Sequence, residues 1–182
     1  MGFTLIELMV TLAIAAILAT MAAPMLSSFL ARSQMNAVVN DLTGAIQMAR
    51  MEAVSRNTCV SICRRATSGA AQCAGDDGAW SSGWLVYENA ACIGSVAATD
   101  PPAGTTLRAR EAVPASISVN TKDSTAPAVI SFTPRGVTVA WSNTTMWLSD
   151  SRFSDGSMNR SVIVSGAGRV RTVAGLEGGS GE

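Results

Sequence analysis

Residues 3–29 read FTLIELMVTLAIAAILATMAAPMLSSF, and this stretch decides how the chain is organised. A helix of about 20 apolar residues crosses a bilayer, so the stretch is long enough to span a membrane. Its only charged side chain is Glu7, and a carboxylate in hydrocarbon costs at least about 2.5–3.5 kcal/mol. Because no Lys or Arg precedes Arg32, we expect Glu7 to be neutralised by the α-amino group of a neighbouring copy.

An ordinary secretory signal or signal anchor is the alternative interpretation of this stretch. It fits poorly because no basic residue precedes the apolar run. The small residues around 20–23 also make an indifferent cleavage pattern, and a carboxylate lies inside the run. The sequence therefore favours a membrane helix that is used in assembly.

The residues Gly2-Phe3-Thr4-Leu5-Ile6-Glu7-Leu8 resemble the processing site of type IV pilins and type II secretion pseudopilins. The resemblance implies that a prepilin peptidase cleaves after Gly2 and methylates Phe3, so residues 1–2 are a residual leader. It also implies that Glu7 directs assembly with other major and minor pilins. The protein would be a single-pass inner-membrane protein with a periplasmic C-terminal domain before it enters a filament.

The apolar pattern becomes amphipathic after Pro24. Apolar residues recur at spacings of three and four, which predicts a helix that lays one face on a core. We predict one helix over residues 3–56, with residues 3–29 in the membrane or filament core and residues 30–56 amphipathic. Pro24 lacks one backbone donor and predicts a kink.

The chain after Arg56 consists of β-branched and aromatic runs separated by turn residues. Short strands after one long helix predict an α+β fold, similar to type IV pilins, with the helix packed on an antiparallel β-sheet. This β-rich domain is expected over residues 57–174, followed by a flexible tail over residues 175–182. The predicted strands are residues 58–63, 83–88, 105–113, 117–120, 129–133, 137–141, 145–148, 161–164 and 169–173.

Four cysteines, Cys59, Cys63, Cys73 and Cys92, predict two disulfides in an oxidising compartment. A four-thiolate zinc site is the alternative, but the chain has no C-x-x-C pair. On one strand Cys59 and Cys63 would lie roughly 13 Å apart, too far to bridge each other. We expect Cys63–Cys73 and Cys59–Cys92, and the sequence leaves the crossed pairing open.

Catalysis is not expected from this composition. The chain contains no histidine, which removes the usual triads, general bases and metal ligands, and Lys122 is its only lysine. The acidic turns at residues 76–78 and 150–156 are more simply solvated turns than calcium sites. We therefore expect no catalytic residue, no metal and no cofactor. The four tryptophans are interpreted as core residues rather than base-stacking platforms.

The chain is formally neutral, with 13 basic and 13 acidic side chains, so anion binding requires a local arginine cluster. Arg169 and Arg171 would project from the same face of a strand, about 7 Å apart. That distance matches the phosphate spacing along one polynucleotide strand. The alternative is that both arginines are solvated or paired with Asp150, Asp155 or Glu177.

A narrower resemblance covers nearly the whole chain and points to the GspH/FimT/FimU group of minor pilins and pseudopilins. It implies a minor pilin at or near the filament tip and, from Gly168-Arg169-Val170-Arg171, a FimT-like G-R-x-R motif that binds DNA without sequence preference for natural transformation. Arg160, Arg152 and Arg135 are further candidates for DNA contact. The alternative is a structural priming or adaptor minor pilin, or the H-type pseudopilin of a type II secretion system, with only pilin partners. The matching segments are residues 49–57, 83–87, 132–136 and 168–171.

Overall fold

A long helix, α1, runs from Leu5 to Arg56, close to the predicted bounds. The Thr4 hydroxyl caps its first turn by accepting a hydrogen bond from the Glu7 backbone N–H at 3.3 Å. Asn57 ends the helix in the left-handed conformation with φ of 52°, and its N–H donates to backbone carbonyls in the last turn. The sequence therefore supplies both a start and a stop for a 52-residue helix.

The computed structural model describes residues 2–75, 79–96, 101–102, 104–122, 128–140 and 143–176, without the side chains of residues 21–24. Every described side chain from Phe3 to Ser27 is exposed. The helix is bent by 41° between Leu5–Thr20 and Met25–Arg56, an interval that contains Pro24. Among the described residues no unbent helix has the length and apolarity of a membrane span, whereas these two segments meet that test together.

The second half of α1 lays one apolar face on the rest of the protein. The buried residues recur at spacings of three and four, as the amphipathic pattern predicts, and those from Met35 to Ala53 share one core with both sheets described next. They are Ala31, Met35, Val38, Val39, Leu42, Ala45, Ile46, Ala49 and Ala53.

Among the described residues, eight antiparallel strands form two four-stranded sheets, whereas the sequence predicts one sheet. The first sheet has the order β3-β2-β1-β5 and the second has the order β4-β6-β7-β8, so β8 is an edge strand. The strands are β1 Val60–Arg64, β2 Trp84–Glu88, β3 Thr106–Arg110, β4 Ile117–Thr121, β5 Val129–Phe132, β6 Thr144–Asp150, β7 Arg160–Val164 and β8 Val170–Ala174.

One hydrophobic core joins α1 to both sheets. Val162 and Val164 of β7 belong to it, so the alternate positions of this strand face away from the helix. Trp80 and Trp84 are fully buried in the same core, in agreement with their interpretation as core residues. Trp147 is half-buried, and Trp141 lies outside the described residues.

The prediction of a strand over residues 137–141 is wrong over its described part. Residues 134–140 form turns with a single bridge between Phe132 and Thr138. The backbone N–H and the hydroxyl of Thr138 both donate to the Gly166 carbonyl, at 2.9 and 3.1 Å. The flanking bonds, from the Val139 N–H to the Ser131 carbonyl and from the Thr133 N–H to the Val137 carbonyl, pair the segment with β5 at this bridge only. Trp141 and the tail beyond Leu176 lie outside the described residues.

The structure pairs Cys59 with Cys92 and Cys63 with Cys73, the pairing expected from the sequence. The Cα atoms are 5.2 and 5.7 Å apart, within the usual range for a disulfide. Cys59 directly precedes β1 and Cys63 lies within it, so both bridges attach loops to one buried strand.

Candidate nucleic-acid interface

Two turns and the last part of α1 meet at one corner of the protein. The first turn follows β5, and the Gly136 N–H closes it by donating to the Thr133 carbonyl at 2.8 Å. The second turn joins β7 to β8, where the Gly168 N–H donates to the Ser165 carbonyl at 2.8 Å. Both glycines have positive φ, 72° and 76°, a conformation that L residues rarely adopt.

The two turns are in direct contact at these glycines. A Cβ on Gly168 would lie 2.1 Å from the Gly136 carbonyl oxygen and 3.0 Å from the Arg50 Nε. The Arg50 Nε in turn donates to the Gly136 carbonyl at 2.8 Å. Gly168 is therefore required by packing as well as by its backbone conformation, whatever the neighbouring arginines bind.

Arg135 and Arg169 stand next to the two contacting glycines, so the fold brings both exposed side chains to the same corner. Arg171 is also exposed and pairs with Ile163 across β7 and β8. Ile163 alternates with the core residues Val162 and Val164, so Arg171 lies on the sheet face that points away from α1. We call Arg135, Arg169 and Arg171 the arginine patch.

The arginine patch has free positive charge within the part of the chain that the structure describes. None of its three guanidiniums forms an ion pair there. Of the acids that could have neutralised Arg169 and Arg171, Asp150 binds Arg152 and Asp155 accepts two hydrogen bonds from Ser157. Glu177 lies outside the described residues.

The prediction that a strand begins at Arg169 is wrong by one residue, because β8 begins at Val170. Its backbone N–H donates to the Ser165 hydroxyl at 3.2 Å, and its carbonyl accepts from the Ser165 N–H at 2.9 Å. These bonds hold Arg169 in the turn, one residue before the sheet begins.

Arg152 lies outside the arginine patch, because its guanidinium is bound to an acid, and its contact with DNA stays a prediction. It binds the Asp150 carboxylate through Nε and Nη2, at 3.0 and 2.6 Å, and it also donates to Gln34 of α1. The Asp150 side chain is fully buried. Hydrogen bonds from the Arg152 side chain hold the pKa of Asp150 below its usual value. Arg152 therefore neutralises a buried acid and fastens the β6 end to the helix.

Arg160 is also separated from the arginine patch. It pairs with Ala174 at the end of β7 and β8 that lies away from the turn. Arg160 lies three residues before Ile163 on β7, so their side chains point to opposite faces of the sheet. Arg171 is paired with Ile163 and shares its face, so Arg160 and Arg171 lie on opposite faces. Its Nη1 donates to the neighbouring Asn159 carbonyl at 2.7 Å.

Arg50 also belongs to this corner, although it was not among the residues predicted for the site. Arg50 follows the buried Ile46 by four residues and precedes the buried Ala53 by three, which places it at the border of the apolar face of α1. An arginine at that border can extend from the helix over the neighbouring sheet. This position was the feature of the sequence that could have identified Arg50 as part of the site.

The N-terminal processing residues lie at the other end of α1. Gly2 and Phe3 are exposed and precede the helix, and Glu7 is exposed in its first turn. About 43 residues of helix separate Glu7 from Arg50, a rise on the order of 60 Å along the axis. Assembly and anion binding would therefore use opposite ends of the same helix.

Comparisons with known proteins agree with this architecture. The family model described as "Type II transport protein GspH" matches residues 38–168, and the model of the prokaryotic N-terminal methylation motif matches residues 2–23. No curated sequence matches the chain.

Two crystal forms of the Pseudomonas aeruginosa PAO1 type IV minor pilin FimU share the fold. One is 22% identical with a TM-score of 0.57 over 79% of this chain and 90% of that one. The other is 20% identical with a TM-score of 0.55 over 76% and 91%. The chain therefore belongs to the GspH family and is a minor pilin or pseudopilin with the α+β fold of type IV pilins.

Proposed function

We propose that this minor pilin binds DNA without sequence preference through Arg169 and Arg171, and that it does so at or near the tip of a type IV pilus during natural transformation. The observation that carries the proposal is the arginine patch. Three exposed guanidiniums from two contacting turns and an edge strand lack acidic partners among the described residues. The paired N–H donors of a guanidinium group match the geometry of phosphate oxygens.

The size of the patch limits the affinity and explains the absence of sequence preference. Two or three arginines would neutralise two or three phosphates, which gives a slope of log K against log salt of about −2 to −3 on duplex DNA. The hairpin of β7 and β8 contacts phosphates in this proposal and places no helix in a groove, so no base is read. Weak, salt-sensitive binding suits a subunit that captures DNA of any sequence.

The proposed position in the cell follows from the N-terminal residues. A prepilin peptidase would cleave after Gly2 and methylate Phe3, and Glu7 would pair with the new terminus of another pilin during assembly. Before assembly the protein would be a single-pass inner-membrane protein with its C-terminal domain in the periplasm. Two disulfides fit that oxidising compartment.

The test compares DNA binding by the full chain in nonionic detergent with binding by the Arg169→Gln/Arg171→Gln variant. A fluorescently labelled duplex of random sequence is titrated, and its anisotropy is measured at several salt concentrations. We expect the variant to lose at least tenfold in affinity and about two units of the salt slope. Arg32→Gln/Arg108→Gln is the matched control, since it removes two exposed charges away from the patch and should change affinity less than twofold.

Two results would refute DNA binding at this site. One is an absence of salt-sensitive binding by the wild type. The other is equal binding by the wild type and Arg169→Gln/Arg171→Gln.

A purely structural role is the second candidate, favoured by the family description, which names a type II transport protein. In that case the protein would be a priming or adaptor subunit, or the H-type pseudopilin, and its partners would be pilins alone. Strains that carry Arg169→Gln/Arg171→Gln separate the two functions. Loss of transformation with normal filaments supports DNA capture, whereas loss of filaments supports an adaptor surface.

A further inference from the structure

We propose that Arg50 is the positioning residue of the arginine patch: it fixes Arg135 and Arg169 on one surface where they bind the same phosphate chain. This inference rests on the proposed DNA binding and extends it to a residue of α1. Arg50 is half-buried, and its Nε donates to the Gly136 carbonyl at 2.8 Å. The bond joins two positions separated by 86 residues in the chain, so it links the helix to the first turn.

Two side chains of α1 pack against Gly136. A Cβ on Gly136 would lie 3.1 Å from the Arg50 Nε and 3.2 Å from a methyl carbon of Val54, which is one helical turn further along α1. Arg50 and Val54 therefore hold the backbone of this turn from one side. Arg135 is the residue before Gly136, so its backbone belongs to the turn that these contacts hold.

The first turn, which α1 holds, is itself bonded to the second turn. The Gly136 carbonyl lies against Gly168, and the Thr138 N–H and hydroxyl both donate to the Gly166 carbonyl. The Arg50 Nε is also only 3.0 Å from the position of a Cβ on Gly168. One side chain of α1 thus contacts both glycines, and Arg169 follows the second of them directly.

The charges at this corner explain why such a contact is needed. Arg50 contacts the two glycines that adjoin Arg135 and Arg169, so three like charges share this corner, and none forms an ion pair within the described ranges. Like charges repel and favour separation of the two turns. The hydrogen bond from Arg50 opposes that separation, and a polyanion that contacts both turns removes the repulsion. A phosphodiester chain is a ligand of this kind.

The experiment uses the full chain in nonionic detergent with Arg50→Met, Arg50→Lys and the control Arg32→Met. Arg32 is an exposed arginine of the same helix, so its replacement removes the same charge without touching the turns. DNA affinity is measured by anisotropy, and hydrogen exchange is followed by mass spectrometry in peptides that cover residues 133–140 and 165–172. Both measurements are made well below the thermal midpoint of each variant.

We expect Arg50→Met to lose about tenfold in DNA affinity and to exchange faster in both peptides without DNA. Arg50→Lys keeps the charge and one donor, so it should lose only about threefold. Arg32→Met should stay within twofold of the wild type and show unchanged exchange. If Arg50→Met does not fold, the graded effect of Arg50→Lys on both measurements carries the test.

The positioning role is overturned if Arg50→Lys and Arg50→Met bind DNA like the wild type. It is also overturned if affinity falls while exchange in both peptides stays unchanged, since Arg50 would then supply only charge. The outcome for Arg169→Gln/Arg171→Gln separates the two proposals. Full binding by that variant refutes DNA capture by the patch, whereas its loss of binding alongside normal binding by Arg50→Met refutes only the role of Arg50.

Discussion

At the scale of single residues, Gly168 shows how a motif can have two roles. The sequence identifies Gly168-Arg169-Val170-Arg171 as a candidate phosphate-binding motif from the arginines. The structure shows why this position requires glycine: Gly168 is in close contact with Gly136 and has a positive φ. No spacing rule predicts this contact, because the two glycines are 32 positions apart in the chain and meet only in the folded protein.

Replacement of Gly168 by alanine should therefore destabilise the domain more than the backbone conformation alone requires. We expect a loss of at least about 2 kcal/mol in the free energy of unfolding, since the new Cβ would clash with backbone. Gly69→Ala is the control: Gly69 has φ of 82° but open space around its Cβ position, and should lose only about 1 kcal/mol. Urea unfolding checks the difference, and equal losses would show that the contact is unimportant.

Asp150 gives a pH-dependent prediction at the same scale. Hydrogen bonds from the Arg152 side chain lower the pKa of Asp150 in the folded state, so the ionised acid stabilises the protein above its unfolded pKa, about 3.9. This stabilisation is lost as the pH falls through the lower folded pKa. Asp150→Asn should thus cost about 1–3 kcal/mol at pH 7, and the difference from the wild type should shrink on acidification below pH 4. Urea midpoints at pH 7 and pH 3 measure it, and a constant difference would contradict the assignment.

At the scale of elements, the amphipathic spacing predicted α1 well because its periodicity extends over many turns. Strand bounds were close wherever a β-branched run ends at turn residues, as in β7. Residues 137–140 have the composition of a strand but pair with β5 at one bridge only, and the outward N–H and the hydroxyl of Thr138 donate to Gly166 in a distant turn. Such a tertiary preference leaves no mark in the local sequence.

The two disulfides offer a prediction about their elements. The Cys59–Cys92 bridge spans 33 positions and the Cys63–Cys73 bridge spans 10. In the chain-entropy model, removal of the first should cost about 3.7 kcal/mol and removal of the second about 2.7 kcal/mol. The paired variants Cys59→Ala/Cys92→Ala and Cys63→Ala/Cys73→Ala are compared by urea unfolding. A larger loss for the shorter loop would show that local packing, not chain entropy, dominates.

At the scale of the whole molecule, the sequence predicted an α+β protein but not its division into two sheets. Alternation along a strand says which residues face a core, and it does not say which strands are neighbours. The candidate site shows the same limit. The motif was enough to identify Arg169 and Arg171. Only the strand ends and pairing register of β6, β7 and β8 show that Arg152 and Arg160 lie away from the arginine patch. Arg50 entered the site because α1 crosses the corner where the two turns meet.

The exposed apolar half of α1 leads to a prediction about assembly. Glu7→Ala removes the one charge from residues 3–29, which leaves membrane insertion intact and abolishes its pairing with another subunit. We expect normal amounts of protein in membranes and at least tenfold less in sheared filaments, measured by immunoblotting. Glu7→Asp, which keeps a carboxylate, should retain part of the incorporation. Equal incorporation of Glu7→Ala and the wild type would contradict the pairing.

The most direct test of the account is the mass of the N-terminal peptide of the protein isolated from filaments. Cleavage after Gly2 creates the amine that Glu7 needs, so every later step depends on it. We predict a chain that starts at Phe3 and carries one added methyl group on its amine. A chain still uncut at Gly2, or cut near Pro24 instead, would contradict the filament role and leave the arginine patch without a place at a pilus tip.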